Sequence, residues 1–223
     1  MSSPVKYLIL HGDYIRAPNV LKVMLILKEL NLPFEAKHVP FTSVKKPEYI
    51  ALNPNGRLPA LHDPNRDITI WESGAIIQYL ISEYDKAHDI SFAPDTIEHH
   101  LSNQWLHFQM SGQGPYYGQG YWFANLHAEK VPSAIERYRN EAARVTSVLN
   151  LALEGKRYLV GDKLTYADLA FIPWQVGLCL FHPEFDVGKE APNVAKWMER
   201  MEARPVVGEL VGRWREEDGR FRV

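Results

Sequence analysis

The sequence predicts an α/β unit over residues 1–86, with the order β-α-β-α-β-β-α, followed by an all-helical unit over residues 96–223. Three observations carry this reading. Up to about residue 90, short apolar runs alternate with helically spaced stripes. Beyond that point nearly every apolar stripe has the 3.6-residue period of a helix. The two regimes meet in the turn-rich segment Asp85–Asp95.

Each element has its own signal. Val5–Leu10 is a short apolar run that ends at His11-Gly12, a strand followed by a turn. A helix over residues 18–30 opens on Pro18, where a missing N–H costs nothing, and carries its stripe at Val20, Val23, Met24, Leu27 and Leu30. Phe34–Val39 reads as a second strand, and Pro47–Leu52 as one or two helical turns ended by Asn53-Pro54. Leu58–Leu61 and Ile68–Ile70 are short strands around a turn at Asp63–Asp67, and Ser73–Tyr84 returns to helical spacing. In the second unit, a helix runs from Thr96 to about Gln109 and is expected to break at Gly112-Gln113-Gly114-Pro115. Pro132–Glu154 is a long helix closed by Gly155. Thr165 and Asp168 form a capping-box pattern ahead of the apolar stretch Leu169–Leu180. Ala191–Ala203 is the last expected helix, with Pro205 beyond its end.

Composition narrows the class. The 223 residues are 46% hydrophobic and 23% charged, as in a folded globular protein. Lys+Arg 25 against Asp+Glu 27 leaves a formal charge of −2, so there is no basic excess to neutralise phosphates and no nucleic-acid partner is expected. No apolar run approaches the ~18 residues of a membrane span. A soluble cytoplasmic protein is the expectation. The single cysteine, Cys179, excludes an internal disulfide framework and any Cys-x-x-Cys pair, and its place in an apolar helix reads as an inert core thiol. The nine histidines show no metal-ligand spacing, so no metal is expected.

Five short motifs occur in order: Ala17-Pro18-Asn19-Val20, Asn53–Leu61 (NPNGRLPAL), Glu72-Ser73-Gly74-Ala75-Ile76, Gly112–Gln119 and Val160–Ala170. Together they resemble the glutathione transferase superfamily, and within it the fungal branch similar to the yeast nitrogen-catabolite regulator and the bacterial nu class. The resemblance implies a thioredoxin-like N-terminal domain that binds glutathione, an all-α C-terminal domain with the second-substrate site, a two-fold homodimer, and glutathione as co-substrate. It also implies a cis Leu58–Pro59 bond that turns the backbone of Leu58 toward the tripeptide.

The same resemblance distributes roles. Ser73 and the start of its helix would meet the γ-glutamyl carboxylate, helped by the helix dipole, and Glu72 the ammonium. Lys45 and Lys46 are the nearby cations for the glycyl carboxylate, with His38 an outside candidate. Asn19, at the start of the first helix, would donate to the thiol and favour the thiolate. A free thiol has a pKa of about 8.5 and is mostly protonated at neutral pH. Two departures from the nu-class pattern stand out: Ala17 replaces a hydroxyl residue and Val20 a glycine. No cysteine lies at this turn, which argues against omega-type and glutaredoxin-like chemistry. Tyr14 and Arg16 share the loop without matching the motif.

An apolar second substrate is expected to meet the aromatic-rich segment of the helical unit, at Tyr116, Tyr117 and Trp122, while Trp105 and Phe108 read as core. The expected function is a glutathione transferase that activates the thiolate for attack on a small, largely apolar electrophile such as an α,β-unsaturated carbonyl compound. A double-bond isomerase, a glutathione-dependent disulfide reductase and a non-catalytic glutathione-binding regulatory module are the alternatives.

Overall fold

Four strands form one mixed sheet in the first unit, and the computed structural model describes residues 5–221. Strand β1 (Leu8–Gly12) is followed by helix α1 (Pro18–Glu29), β2 (Phe34–His38), the short α2 (Pro47–Ile50), β3 (Ala60–Asp63), β4 (Ile68–Trp71) and α3 (Ser73–Tyr84). The sheet order is β2-β1-β3-β4, with β1 and β2 parallel across the α1 crossover and the other pairs antiparallel. β1 is therefore a central strand. It starts later than expected and runs on through Gly12, because β2 pairs with it as far as His38. Gly12 belongs there for a steric reason: a Cβ would lie 2.5 Å from Val20 Cγ2, so only glycine lets the start of α1 close on the strand end. β3 begins at Ala60 rather than Leu58, after a cis Leu58–Pro59 bond.

The second unit is helical. α4 (Ile97–Phe108) is capped by the Thr96 hydroxyl, which accepts from the His99 N–H at 3.2 Å. The expected break at Gly112–Pro115 does not occur. Instead α4 widens into a π-helical turn at Gln109–Gln113, continues as α5 (Gly114–Tyr121), and widens again at Trp122–Leu126. A wider turn passes Pro115 into the first turn of α5, where its missing N–H is tolerated, so the helical path survives residues that would otherwise stop it. α6 (Pro132–Ala152) is followed by α7 (Tyr166–Val176), α8 (Val187–Glu190), α9 (Pro192–Glu202) and α10 (Pro205–Glu217). α10 lies beyond the last helix expected from the sequence. Pro205 reads as a stop after α9, yet it occupies the first turn of the next helix.

The apolar face of α1 is the hinge of the packing. Val20–Leu27 are all buried, and α1 packs on α3 from its own unit and on α7 and α10 from the helical one. One continuous core runs from Leu8 and Leu10 through Val23 and Ile26 to Leu169, Phe171 and Trp197. Cys179 departs from expectation: it lies exposed on the 3-10 turn Gly177–Leu180, outside that core. Among the described residues no helix is long and apolar enough to cross a membrane.

Candidate functional site

The unions of these elements leave a cleft of about 690 Å³ between the two units, adjoining a smaller one of about 340 Å³. Asn19, Phe41, Arg57, Leu58 and Trp174 line both.

One wall is the loop before β3. The Tyr49 hydroxyl and the Asn53 amide donate to the Arg57 carbonyl at 2.8 and 2.6 Å, and Asn53 Oδ1 accepts from the Asn55 N–H at 3.0 Å. Burial pushes the Tyr49 hydroxyl up to about 12, so it stays a donor at any physiological pH. Gly56, at φ +60°, would place a Cβ 2.7 Å from the Val44 carbonyl, and no other residue fits. These contacts hold Leu58 and Pro59 in the cleft wall.

The floor is the junction of β4 and α3. Glu72 sits at φ +69°, a conformation costly for a non-glycine residue and kept only where the surroundings impose it. Its carboxylate is exposed to the cleft, whereas Ser73 is buried at the first turn of α3, with Oγ 3.5 Å from Met110 Sδ. On the opposite wall Asn19 stands in the first turn of α1, and its Oδ1 accepts from the Trp174 indole Nε1–H at 2.9 Å. Ala17, the residue before that helix, offers no side-chain cap.

The cations are placed unequally. Lys45 lines the smaller cavity and donates to the Asn55 carbonyl at 2.8 Å, while Lys46 is exposed and outside both linings. Arg57, inside the NPNGRLPAL motif, lines both cavities, a place that no local pattern marks. Its forked guanidinium suits a carboxylate better than a lysine does. His38 packs edge-on against Tyr14, with ring centroids 5.6 Å apart, and neither lines the cleft. Arg16 is exposed, and its carbonyl accepts from Arg220 at 3.1 Å, which ties the turn after α10 to this loop.

The aromatic expectation is corrected in two of three positions. Trp122 lines the cleft with Pro115, Gly118, Gln119 and Trp174. Tyr117 is fully buried among α5, α6 and α7, 2.7 Å from the Thr146 hydroxyl and donating to Gln175 Oε1 at 3.2 Å. Tyr116 turns toward Tyr138 and the Arg144 guanidinium and does not reach the lining. On a helical segment, adjacent residues point about 100° apart, so one stretch of aromatics cannot all face one cavity. Phe41, exposed at the mouth, supplies aromatic surface from the other side.

A buried lysine lies behind the cleft. Lys22 is fully enclosed on α1, its ammonium donating to Gln109 Oε1 at 2.6 Å beside Met110 Sδ at 3.2 Å. Burial pushes it down to about 7, and the negative Glu72 pulls the other way. The amide chain continues from Gln109 Nε2 to Gln113 Oε1 and from Gln113 Nε2 to Gln175 Oε1. Because the unfolded chain keeps its proton up to the ordinary value of 10.5, it binds more protons than the native state between about pH 7 and 10.5. Stability should therefore rise with pH across that window, by at most about 1.4 kcal/mol per unit. Urea unfolding of wild type and Lys22→Met at pH 7 and 9.5 checks this: the alkaline gain should shrink in the variant, and equal gains would refute the assignment.

Among the described residues no group of three or more His, Cys, Asp or Glu is arranged to hold a metal ion. The arrangement instead offers a helix start, a carboxylate, a guanidinium and an amide around one elongated cleft, which fits a flexible ligand with several charged ends.

Comparison with known proteins agrees with this geometry. Residues 17–83 match the family description "Glutathione S-transferase, N-terminal domain", and residues 115–205 match "Glutathione S-transferase, C-terminal domain". The glutathione S-transferase-like protein tpcF of Aspergillus fumigatus is 52% identical over 200 residues, covering 85% of this chain and 89% of that protein. The crystal structure of the glutathione transferase URE2P8 from Phanerochaete chrysosporium with oxidized glutathione superposes with a TM-score of 0.90 at 41% identity, over 96% of this chain and 98% of that one. Ure2p in complex with glutathione has a TM-score of 0.86 at 35% identity, covering 94% of this chain and all 100% of that one. With both domains matched and this degree of identity along its length, the chain belongs to the glutathione S-transferase family.

Proposed function

We propose that this protein is a glutathione transferase that adds the glutathione thiolate to a small, largely apolar, conjugated electrophile. The observation that carries the reading is the span of one cleft, from the Glu72–Ser73 helix start, past the cis Leu58–Pro59 wall, to the amide of Asn19. In this reading Ser73 and the first turn of α3 hold the γ-glutamyl carboxylate, and Glu72 holds the ammonium. Arg57, with Lys45 beside it, receives the glycyl carboxylate, and Lys46 has no part.

The thiol then lies at the start of α1. The helix dipole and the Asn19 N–H favour its ionised form, and the proton leaves to solvent. The thiolate attacks the β-carbon of an α,β-unsaturated carbonyl compound. The S–C bond forms as the double-bond electrons move to the carbonyl oxygen, and water returns a proton to the α-carbon. The Gln119 amide and the Trp122 indole line the cleft as donors for the developing enolate, a role the buried Tyr117 does not fill. A homodimer belongs to this reading, and the exposed apolar residues Ile68 and Trp71 on β4 and Ile97 and Leu101 on α4 are the ones it would have a second copy of the chain cover.

The test is incubation of the pure protein and glutathione with a panel of α,β-unsaturated carbonyl compounds, followed by mass analysis. Conjugates and net glutathione consumption are expected. Rearranged product with glutathione recovered would make it an isomerase. Binding without turnover across the panel would favour the non-catalytic glutathione-binding module.

A further inference from the structure

The Asn19 side chain has two ends of similar shape and opposite chemistry, and only the N–H₂ end can stabilise a thiolate. Nothing within α1 decides which end faces the cleft: the residue before the helix is Ala17, which makes no side-chain cap. The decision comes from the other unit. The Trp174 indole nitrogen lies 2.9 Å from the Asn19 amide, 155 residues away in sequence. An indole N–H can only donate, so the amide end it meets must be the oxygen. Trp174 is itself held in place. It sits on α7 next to Pro173, inside the helix, and its ring lies against α5 where Gly118 leaves room: a Cβ there would already touch the ring at 3.4 Å.

We propose that Trp174 is a positioning residue for thiol activation: by occupying Asn19 Oδ1 it locks the amide with Nδ2 turned to the bound sulfur. The proposal rests on the reading of Asn19 as the thiol's donor. It places control of the thiol, bound by the first unit, in the helical unit. Removal of the indole N–H frees the amide to rotate, and roughly half of its orientations then present an oxygen to a forming anion.

The experiment is an absorbance titration of glutathione bound to wild type, Trp174→Phe, Asn19→Ala and the double variant. Phenylalanine keeps an aromatic ring at this position and removes the donor, together with the distal indole edge that lies against Gly118. Trp174→Phe should raise the thiol pKa by about 0.5–1 unit, leaving three- to tenfold less thiolate at neutral pH, the size of one hydrogen bond. Glutathione affinity should stay within about twofold, since the charged anchors lie elsewhere, and the turnover deficit should vanish in alkali. Asn19→Ala should raise the pKa at least as much, and the double variant no further, as coupled residues behave. If Asn19→Ala shifts the titration and Trp174→Phe does not, the proposal is overturned while the role of Asn19 stands. If neither shifts it, the reading of Asn19 fails and takes the proposal with it. Should Trp174→Phe not fold, hydrogen exchange of the Trp174 indole N–H in wild type and Asn19→Ala decides: equal exchange in both would overturn the proposal, and faster exchange in the variant would support it.

Discussion

Replacing Asp168 with alanine should cost about 3–5 kcal/mol of stability. The carboxylate is fully buried and gathers four donors: the Leu159 N–H at 3.0 Å, the Trp197 indole at 3.1 Å, and the Thr165 N–H and hydroxyl at 3.1 Å each. Burial pushes the carboxyl up to about 6, and these bonds resist that shift by favouring the ionised form. Alanine leaves two backbone N–H groups and an indole N–H in the core with no acceptor, each costing about 1–3 kcal/mol before relaxation. It also removes the Thr165–Asp168 capping box at the start of α7. Denaturant unfolding at pH 7.5 gives the measurement, with Trp197→Phe as companion; that variant should lose roughly 1 kcal/mol from the bond, since the acceptor keeps three partners. A loss under about 1 kcal/mol for Asp168→Ala would show that water enters and takes over the donors.

Glutathione affinity should fall about tenfold to a hundredfold in Ser73→Ala and in Glu72→Gln, with kcat nearly unchanged. A hydrogen bond to a charged group is worth roughly 1.5–3 kcal/mol, and both residues grip the end of the tripeptide remote from the sulfur. Glu72→Gly separates ligand binding from backbone conformation. Glycine accepts the φ of +69° without strain, so this variant should be as stable as wild type, or more so, yet bind glutathione as weakly as Glu72→Gln. Calorimetry on the three variants is the check. Undiminished affinity in Glu72→Gly would mean that the strained backbone, not the carboxylate, is what this position supplies.

Local pattern determined much of what is seen. The order β-α-β-α-β-β-α is present as the sequence predicts, because each strand and helix carries its own period and each turn its own Gly, Pro or Asn. Ser73 opening α3, Pro18 opening α1 and Asp168 beneath Thr165 are written within a few residues of their partners. The tertiary structure decided the rest, wherever the outcome depends on a distant partner. β1 extends to Gly12 because β2 lies beside it, and the helix runs through Pro115 because the widened turn packs against α7. Tyr117 went to the core, not the cleft, because Thr146 and Gln175 wait for its hydroxyl there. Lys22 is covered by α4's extension, with Gln109 and Met110 against its ammonium, contacts made across 87 and 88 residues of sequence. Which way Asn19 turns its amide was legible nowhere in the first unit, since the donor that settles it stands on α7 and is brought within 2.9 Å only by the docking of the two units.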